Sequence, residues 1–133
     1  MLRLLTDEHI SPAVAAAARG ICAEMEIISL RDWQHGHLLS ASDEALLHEA
    51  RNASLTLVTY DLRTIPVLLR AWAEQDIDHA GVVLVDEKTI GQAEVGALAD
   101  ALCSLWRAQR QHDWHNRVVF LRRRAQLPRV PPV

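Results

Sequence analysis

The chain has 133 residues, of which half are hydrophobic and 23% are charged, and its formal net charge is −3. This composition is typical of a folded globular domain and excludes disordered and fibrous classes. A chain of this length buries enough surface to fold without disulfides or a structural metal, so we expect Cys22 and Cys103 to be reduced thiols in a cytoplasmic protein. No apolar run reaches the roughly 20 residues of a membrane-spanning helix, so we expect no membrane insertion.

Short apolar runs alternate with helical patterns along the chain. The runs predict strands at residues 2–6, 26–30, 55–59, 81–85 and 117–121. Between them we expect helices at residues 12–19, from Ser40 or Ser42 onward, from Thr64 to about Glu74, and along an apolar stripe from Val95 to Trp106. The first helix has Ser11 as its cap, Pro12 in its first turn and Gly20 just past its end. This alternation favours an α/β fold with a parallel sheet covered on both faces.

Carboxylates stand where three of the predicted strands end. Asp7, Asp61 and Asp86 follow strands, and Asp43 lies at a helix start, which belongs to the same edge of a parallel sheet. Clustered carboxylates repel one another unless they share a cation, and Mg²⁺ or Mn²⁺ prefers such oxygen ligands. Each aspartate taken singly is a common strand-ending residue, so the predicted metal site depends on their coincidence.

Three segments around these acids resemble the motifs of PIN-like domains. They are LLTDEHI at residues 4–10, SDEALL at residues 42–47 and LVTYDL at residues 57–62. The first is similar to the Asp-Glu-Asn type motif of the compact branch that is often encoded as a toxin beside an antitoxin. The order and spacing match over about residues 1–87, and GVVLV at residues 81–85 extends the pattern.

The resemblance implies a three-layer α/β/α sandwich with a mostly parallel sheet, spanning residues 1–124, before a Pro-rich tail at residues 125–133. It also implies a metal-dependent ribonuclease with Asp7, Asp43 and Asp61 as catalytic metal ligands and Thr59 as a supporting hydroxyl. The glutamate that PIN nucleases carry on an intervening helix has no evident counterpart. Glu8 and Glu44 are the candidates to replace it.

Positive charge is concentrated at the end of the chain. Residues 1–106 carry 7 basic and 16 acidic side chains, a balance of −9, whereas residues 107–133 carry 7 basic and one acidic, a balance of +6. Arg122, Arg123 and Arg124 are therefore candidate contacts for RNA phosphates, and the alternative is a solvated strand end. Trp33 is a candidate for stacking on a base, and the alternative is a tryptophan that covers the core.

Two further readings of the acidic edge remain open. A catalytically inactive PIN-like module would use it to bind a basic partner, and a receiver-like phosphotransfer domain would need a lysine beside the acids, for which Lys88 is the only candidate. The apolar stripe from Val95 to Trp106 also predicts a homodimer, because one sheet in so small a domain leaves part of it uncovered.

Overall fold

The computed structural model describes residues 1–123, so Arg124 and the predicted tail lie outside the described part of the chain. Every predicted strand and helix is present, each within a few residues of its expected bounds. In chain order they are β1 Leu4–Thr6, α1 Pro12–Ile21, β2 Ile27–Ser29, a 3-10 helix Trp33–Gly36, α2 Asp43–Asn52, β3 Thr56–Thr59, α3 Ile65–Glu74, β4 Val82–Leu84, α4 Val95–Gln109 and β5 Val118–Phe120.

The five strands form one sheet in the order β2-β1-β3-β4-β5, and every neighbouring pair is parallel. β1 therefore lies between the two strands that follow it in the chain. The order of the chain reverses there, because α1 connects β1 to one neighbour and α2 crosses back to the other. The carboxyl ends of β1 and β3 flank this switch point, which is the usual ligand position in open α/β sheets.

Two apolar cores cover the two faces of the sheet. Alternate strand residues such as Leu4, Val58 and Val83 pack with α1 and α4. Their neighbours Leu5 and Leu57 face the opposite side and pack with α2 and α3. The sheet is thus the middle layer of an α/β/α sandwich, which confirms the predicted fold class.

The helix starts follow the capping logic of the sequence. The Ser11 hydroxyl accepts the Ala13 N–H at 3.2 Å, and the Ser42 hydroxyl accepts the Ala45 N–H at 3.1 Å, which decides between Ser40 and Ser42. Gly20 does not end α1 as expected. The helix continues to Ile21, and the Cys22 N–H closes it by donating to the Ala18 carbonyl at 2.8 Å.

The apolar stripe of α4 is covered within the chain itself. Its members from Leu98 to Trp106 are buried against α1 and the sheet, apart from the polar positions between them. The stripe therefore offers no surface for the expected homodimer. Both Cys22 and Cys103 are free thiols, as predicted. Within residues 1–123 no helix is both long and apolar enough to cross a membrane.

Candidate functional site

Asp7 lies at the switch point of the sheet, where β1 and β3 end. It directly follows β1, and its side chain is buried, with the residue only 6% exposed. One carboxylate oxygen accepts the Glu8 N–H at 2.7 Å, and the other accepts the Thr59 hydroxyl at 2.9 Å. The same Thr59 oxygen accepts the Asp61 N–H at 3.0 Å. One hydroxyl at the end of β3 thus joins the acid that follows β1 to the acid that follows β3.

Asp61 lies in the turn between β3 and α3. Its Oδ1 accepts the N–H groups of Arg63 and Thr64 at 3.0 and 2.8 Å. Burial acts to raise the pKa of this carboxyl, but the hydrogen bonds from Thr64 and Arg63 favour the charged form more strongly, so the pKa is lowered. Asp61 is therefore a fixed anion whose orientation is set by the turn.

Asp43 reaches the same place from a third segment, because α2 begins at the carboxyl edge of the sheet and Asp43 is its first residue. Burial raises the pKa of its carboxyl, and the charges of Asp61 and Asp7 and a hydrogen bond with Asp61 raise it further, against a lowering contribution from His9. We call Asp7, Asp43 and Asp61 the acidic centre. The sequence predicted that these three acids converge, and their mutual effects on the pKa of Asp43 place them together.

Glu8 and Glu44, the candidates to replace the missing glutamate of PIN nucleases, differ in position. Glu8 directs its carboxylate to the loop before α2, where it accepts the Ser40 N–H at 3.3 Å. Glu44 is exposed on α2. Among the residues that the structure describes, no group of three or more His, Cys, Asp or Glu side chains is arranged so that it could hold a metal ion. The acids are therefore close enough to repel one another but do not surround a single point.

The lysine required by the receiver-like reading stands apart from the acidic centre. Lys88 is exposed in the turn after β4, where its N–H donates to Asp86 Oδ1 at 2.9 Å. The charges that shift the pKa of Asp43 are those of Asp61, Asp7 and His9. Asp86 thus stabilises its own turn, and this arrangement gives the receiver-like reading no support.

The residues predicted to contact RNA differ in their exposure and in their hydrogen-bond partners. Arg122 is exposed. Arg123 Nη2 donates to both carboxylate oxygens of Glu94 at 2.6 and 2.7 Å, and Arg123 Nε donates to the Thr89 carbonyl at 2.8 Å. Arg124 lies outside the described residues. Trp33 is partly buried and packs on the core between the sheet and the α2/α3 layer. This is the position of a tryptophan that covers the core, which was the alternative to stacking on a base.

Arg31 is a residue of this edge that sequence reasoning did not single out. It follows β2, and its guanidinium donates to the Glu8 carbonyl at 3.3 Å, next to Asp7. It also lines an open cleft of about 720 Å³ together with Glu8, His9, Ser11, Pro12, Gln92 and Ala93. The signal was available, because a residue just after β2 belongs to the same edge as one just after β1.

No protein-family model, no curated protein and no solved structure matched this chain in the comparisons. The case for a function therefore depends on the residues and geometry of the site itself.

Proposed function

We propose that this chain is a PIN-like ribonuclease that depends on Mg²⁺ or Mn²⁺ and hydrolyses RNA phosphodiesters, as the toxin of a toxin–antitoxin pair. The observation that carries the proposal is the convergence of Asp7, Asp43 and Asp61 from three separate segments at the switch point of the sheet. Structural carboxylates are usually paired with cations, whereas these three acids face one another.

The donor atoms of the acidic centre suit a hard divalent cation in their chemistry, although the three acids do not surround a single point in this structure. All its side-chain donors are carboxylate oxygens, which are the ligands that Mg²⁺ and Mn²⁺ prefer. The charges of Asp61 and Asp7 raise the pKa of Asp43, so the three carboxylates repel one another when all are ionised. A bound cation would relieve this repulsion.

Each acid has a distinct part in the proposed reaction. Thr59 and the turn after β3 fix Asp7 and Asp61, so these two acids would hold the ion. Asp43 completes the set from α2. A bound divalent ion supplies a more acidic water and stabilises the charge that develops on the phosphodiester. The exposed His9 is close enough to lower the pKa of Asp43.

Arg31 and Arg122 are the cations that we assign to the RNA backbone. Arg31 lines the open cleft and donates to the carbonyl of Glu8, the residue after Asp7, and Arg122 is exposed after β5, at the same edge of the sheet. Arg123 is paired with Glu94 and contributes less, because an arginine in an ion pair must leave it before contacting a phosphate.

The decisive experiment titrates Mn²⁺ into the protein while its melting temperature is measured, and then assays the cleavage of structured RNAs. We expect Mn²⁺ to stabilise the wild type through selective binding to the folded state. Asp7→Asn and Asp61→Asn should each lose this stabilisation and lower the cleavage rate by about 100-fold or more, the scale of one preorganised electrostatic contact in an active site. Asp86→Asn is the matched control, since Asp86 also follows a strand but lies outside the acidic centre.

A binding module without catalysis is the second candidate function. The observation that favours it is that no group of acids in residues 1–123 is already arranged to hold a metal. In that case the acidic centre would bind an Arg- and Lys-rich partner segment. Wild type that neither gains stability from Mn²⁺ nor cleaves RNA, but binds a basic peptide that Asp7→Asn does not bind, would replace the ribonuclease proposal with this one.

A further inference from the structure

The outer edge of β5 is open within the described part of the chain. β5 is the last strand of the sheet, and its bonds to β4 come from alternate residues: the Arg117 carbonyl accepts the Val82 N–H at 2.9 Å, and the Leu121 N–H donates to the Leu84 carbonyl at 2.8 Å. Because the backbone direction alternates along a strand, the N–H and C=O groups of Val118 and Phe120 point away from β4. Exposed strand edges of this kind are templates for pairing with another chain.

The side chains of this edge are also apolar. Val118 is 43% exposed and Phe120 is 60% exposed, although both are large hydrophobic residues. In register they stand beside Val82 and Leu84, which pack into the α2/α3 core, so Val118 and Phe120 lie on that face of the sheet. Val118 also lines a cavity of about 440 Å³ whose apolar part is formed by Leu69, Ala73 and Ile77 of α3 and the following turn.

We propose that β5 pairs with β5 of a second copy of this chain, antiparallel, with the two-fold axis at Val119. Val118 of each copy then stands opposite Phe120 of the other, and these two residues exchange backbone hydrogen bonds because their N–H and C=O groups are the ones that point outward. The two five-stranded sheets become one continuous sheet of ten strands.

The sequence of the edge favours a second copy in this register. An axis at Val118 would place Phe120 opposite the polar Asn116, and an axis at Phe120 would place Val118 opposite the charged Arg122. With the axis at Val119, Arg117 faces Leu121 and Arg122 faces Asn116, so no like charges stand opposite each other. The edge is thus self-complementary in both charge and hydrophobicity, which an isologous interface requires.

The cavity beside Val118 adds a second element of fit. In the proposed register, Phe120 of the second copy lies next to Val118 on the same face of the joined sheet. Its ring therefore stands at the mouth of the cavity that Val118 lines with α3. An aromatic side chain in an apolar pocket is a frequent energetic anchor of protein interfaces.

This interface does not involve the acidic centre. A two-fold axis perpendicular to the strands reverses their direction, so the two carboxyl edges of the joined sheet, with their acidic centres, face opposite ways. The tests of this interface measure the oligomeric state and not the activity, which separates a failure of this inference from a failure of the proposed function.

The first test is the oligomeric state of the full chain by light scattering. We expect the wild type to have a mass near twice the 14.9 kDa of one chain, and Phe120→Lys to have the mass of one chain, because an edge lysine prevents strand pairing. Val67→Lys is the matched control and should remain dimeric, since Val67 is 65% exposed on α3 but does not line the cavity beside Val118. A cooperative unfolding transition above room temperature in both variants would show that neither change acts by unfolding. The dimeric control should melt at the higher temperature, because association stabilises the folded state.

The second test fixes the register by disulfide formation in a Cys22→Ser background. The two Val119 positions form a non-hydrogen-bonded antiparallel pair, whose Cα atoms lie about 4.5 Å apart, within the range of a disulfide. Val119→Cys should therefore oxidise to a covalent dimer, whereas Val118→Cys and Phe120→Cys should cross-link only when the two proteins are mixed. A monomeric wild type, as expected if residues 124–133 or another protein cover the edge, would overturn the proposal. Cross-linking of Val118→Cys to itself would overturn the register.

Discussion

The parallel strands all begin at one edge of the sheet, the amino edge, and end at the other, the carboxyl edge. Polar side chains gather at both edges, but the two edges differ in how these side chains are hydrogen-bonded. At the amino edge, the Asn116 amide accepts the His79 N–H at 2.9 Å and donates to Asp78 Oδ1 at 2.9 Å. The His79 ring accepts the Gly81 N–H through Nδ1 at 3.0 Å. At the carboxyl edge, the acidic centre brings like charges together and raises the pKa of Asp43.

Asp78, His79 and Asn116 form a structural polar cluster at the amino edge, and it differs from a candidate site in its electrostatics. Burial is the main cause that lowers the pKa of His79, and the charge of His115 lowers it further against a raising effect of Asp78, which favours the neutral ring that accepts a hydrogen bond. The cluster is closely packed as well: Gly81 has a φ of +99°, and a Cβ there would lie 2.7 Å from the Trp114 carbonyl oxygen. Donors match acceptors at the amino edge, whereas acceptors are in excess at the carboxyl edge.

Asn116→Ala should have the largest effect on stability, because it removes hydrogen bonds at the amino edge of the sheet. It leaves the acidic centre at the carboxyl edge intact. The change removes two hydrogen bonds and places alanine at a φ of 57°. We expect the free energy of unfolding to fall by about 1–2 kcal/mol in a urea titration. RNA cleavage by the folded variant should be unchanged. Asn52→Ala, at the exposed end of α2, is the control and should have little effect. A variant that kept its stability but lost cleavage would reverse the roles of the two edges.

Arg31→Ala sharpens the comparison at the carboxyl edge. We expect a several-fold loss of RNA affinity, with the slope of log K against log salt concentration reduced by about one, the contribution of a single phosphate contact. Arg51→Ala removes an exposed cation at the far end of α2 and should leave both quantities unchanged. If binding isotherms at several salt concentrations show the same slope for Arg31→Ala and wild type, Arg31 does not contact the RNA backbone.

Asp43→Asn should have the smallest effect on stability and the opposite sign. A carboxyl whose pKa is raised in the folded state destabilises that state at any pH above this pKa, and the penalty disappears below the ordinary aspartate value of 3.8. In metal-free buffer at pH 7 the variant should therefore be more stable than wild type, by less than about 0.5 kcal/mol, since the side chain remains largely in contact with water. Denaturation of the variant and the wild type at pH 7 and at pH 3 compares their stabilities where this penalty is present and where it is absent. A variant less stable than wild type at pH 7 would show that Asp43 stabilises the fold.

Local signals account for most of what the sequence predicted. Apolar runs that end in acids marked the strands, and Ser11 and Ser42 marked helix starts, because both depend on residues close in the chain. The ion pair of Arg123 with Glu94 joins residues 29 apart, and no local pattern predicts it. The same is true of the burial of the α4 stripe, since only the position of α1 against α4 decides how much of it is covered.

The Thr59 hydroxyl has a consequence for the folding of this chain. It donates to Asp7 across 52 residues of sequence, so the pairing of β3 with β1 must close a long loop before the acidic centre exists. Long-range strand pairing is slow compared with helix formation, since loop closure must precede the contacts that reward it. The proposed ribonuclease activity would therefore arise late in folding, and a partially folded chain with formed helices would lack it.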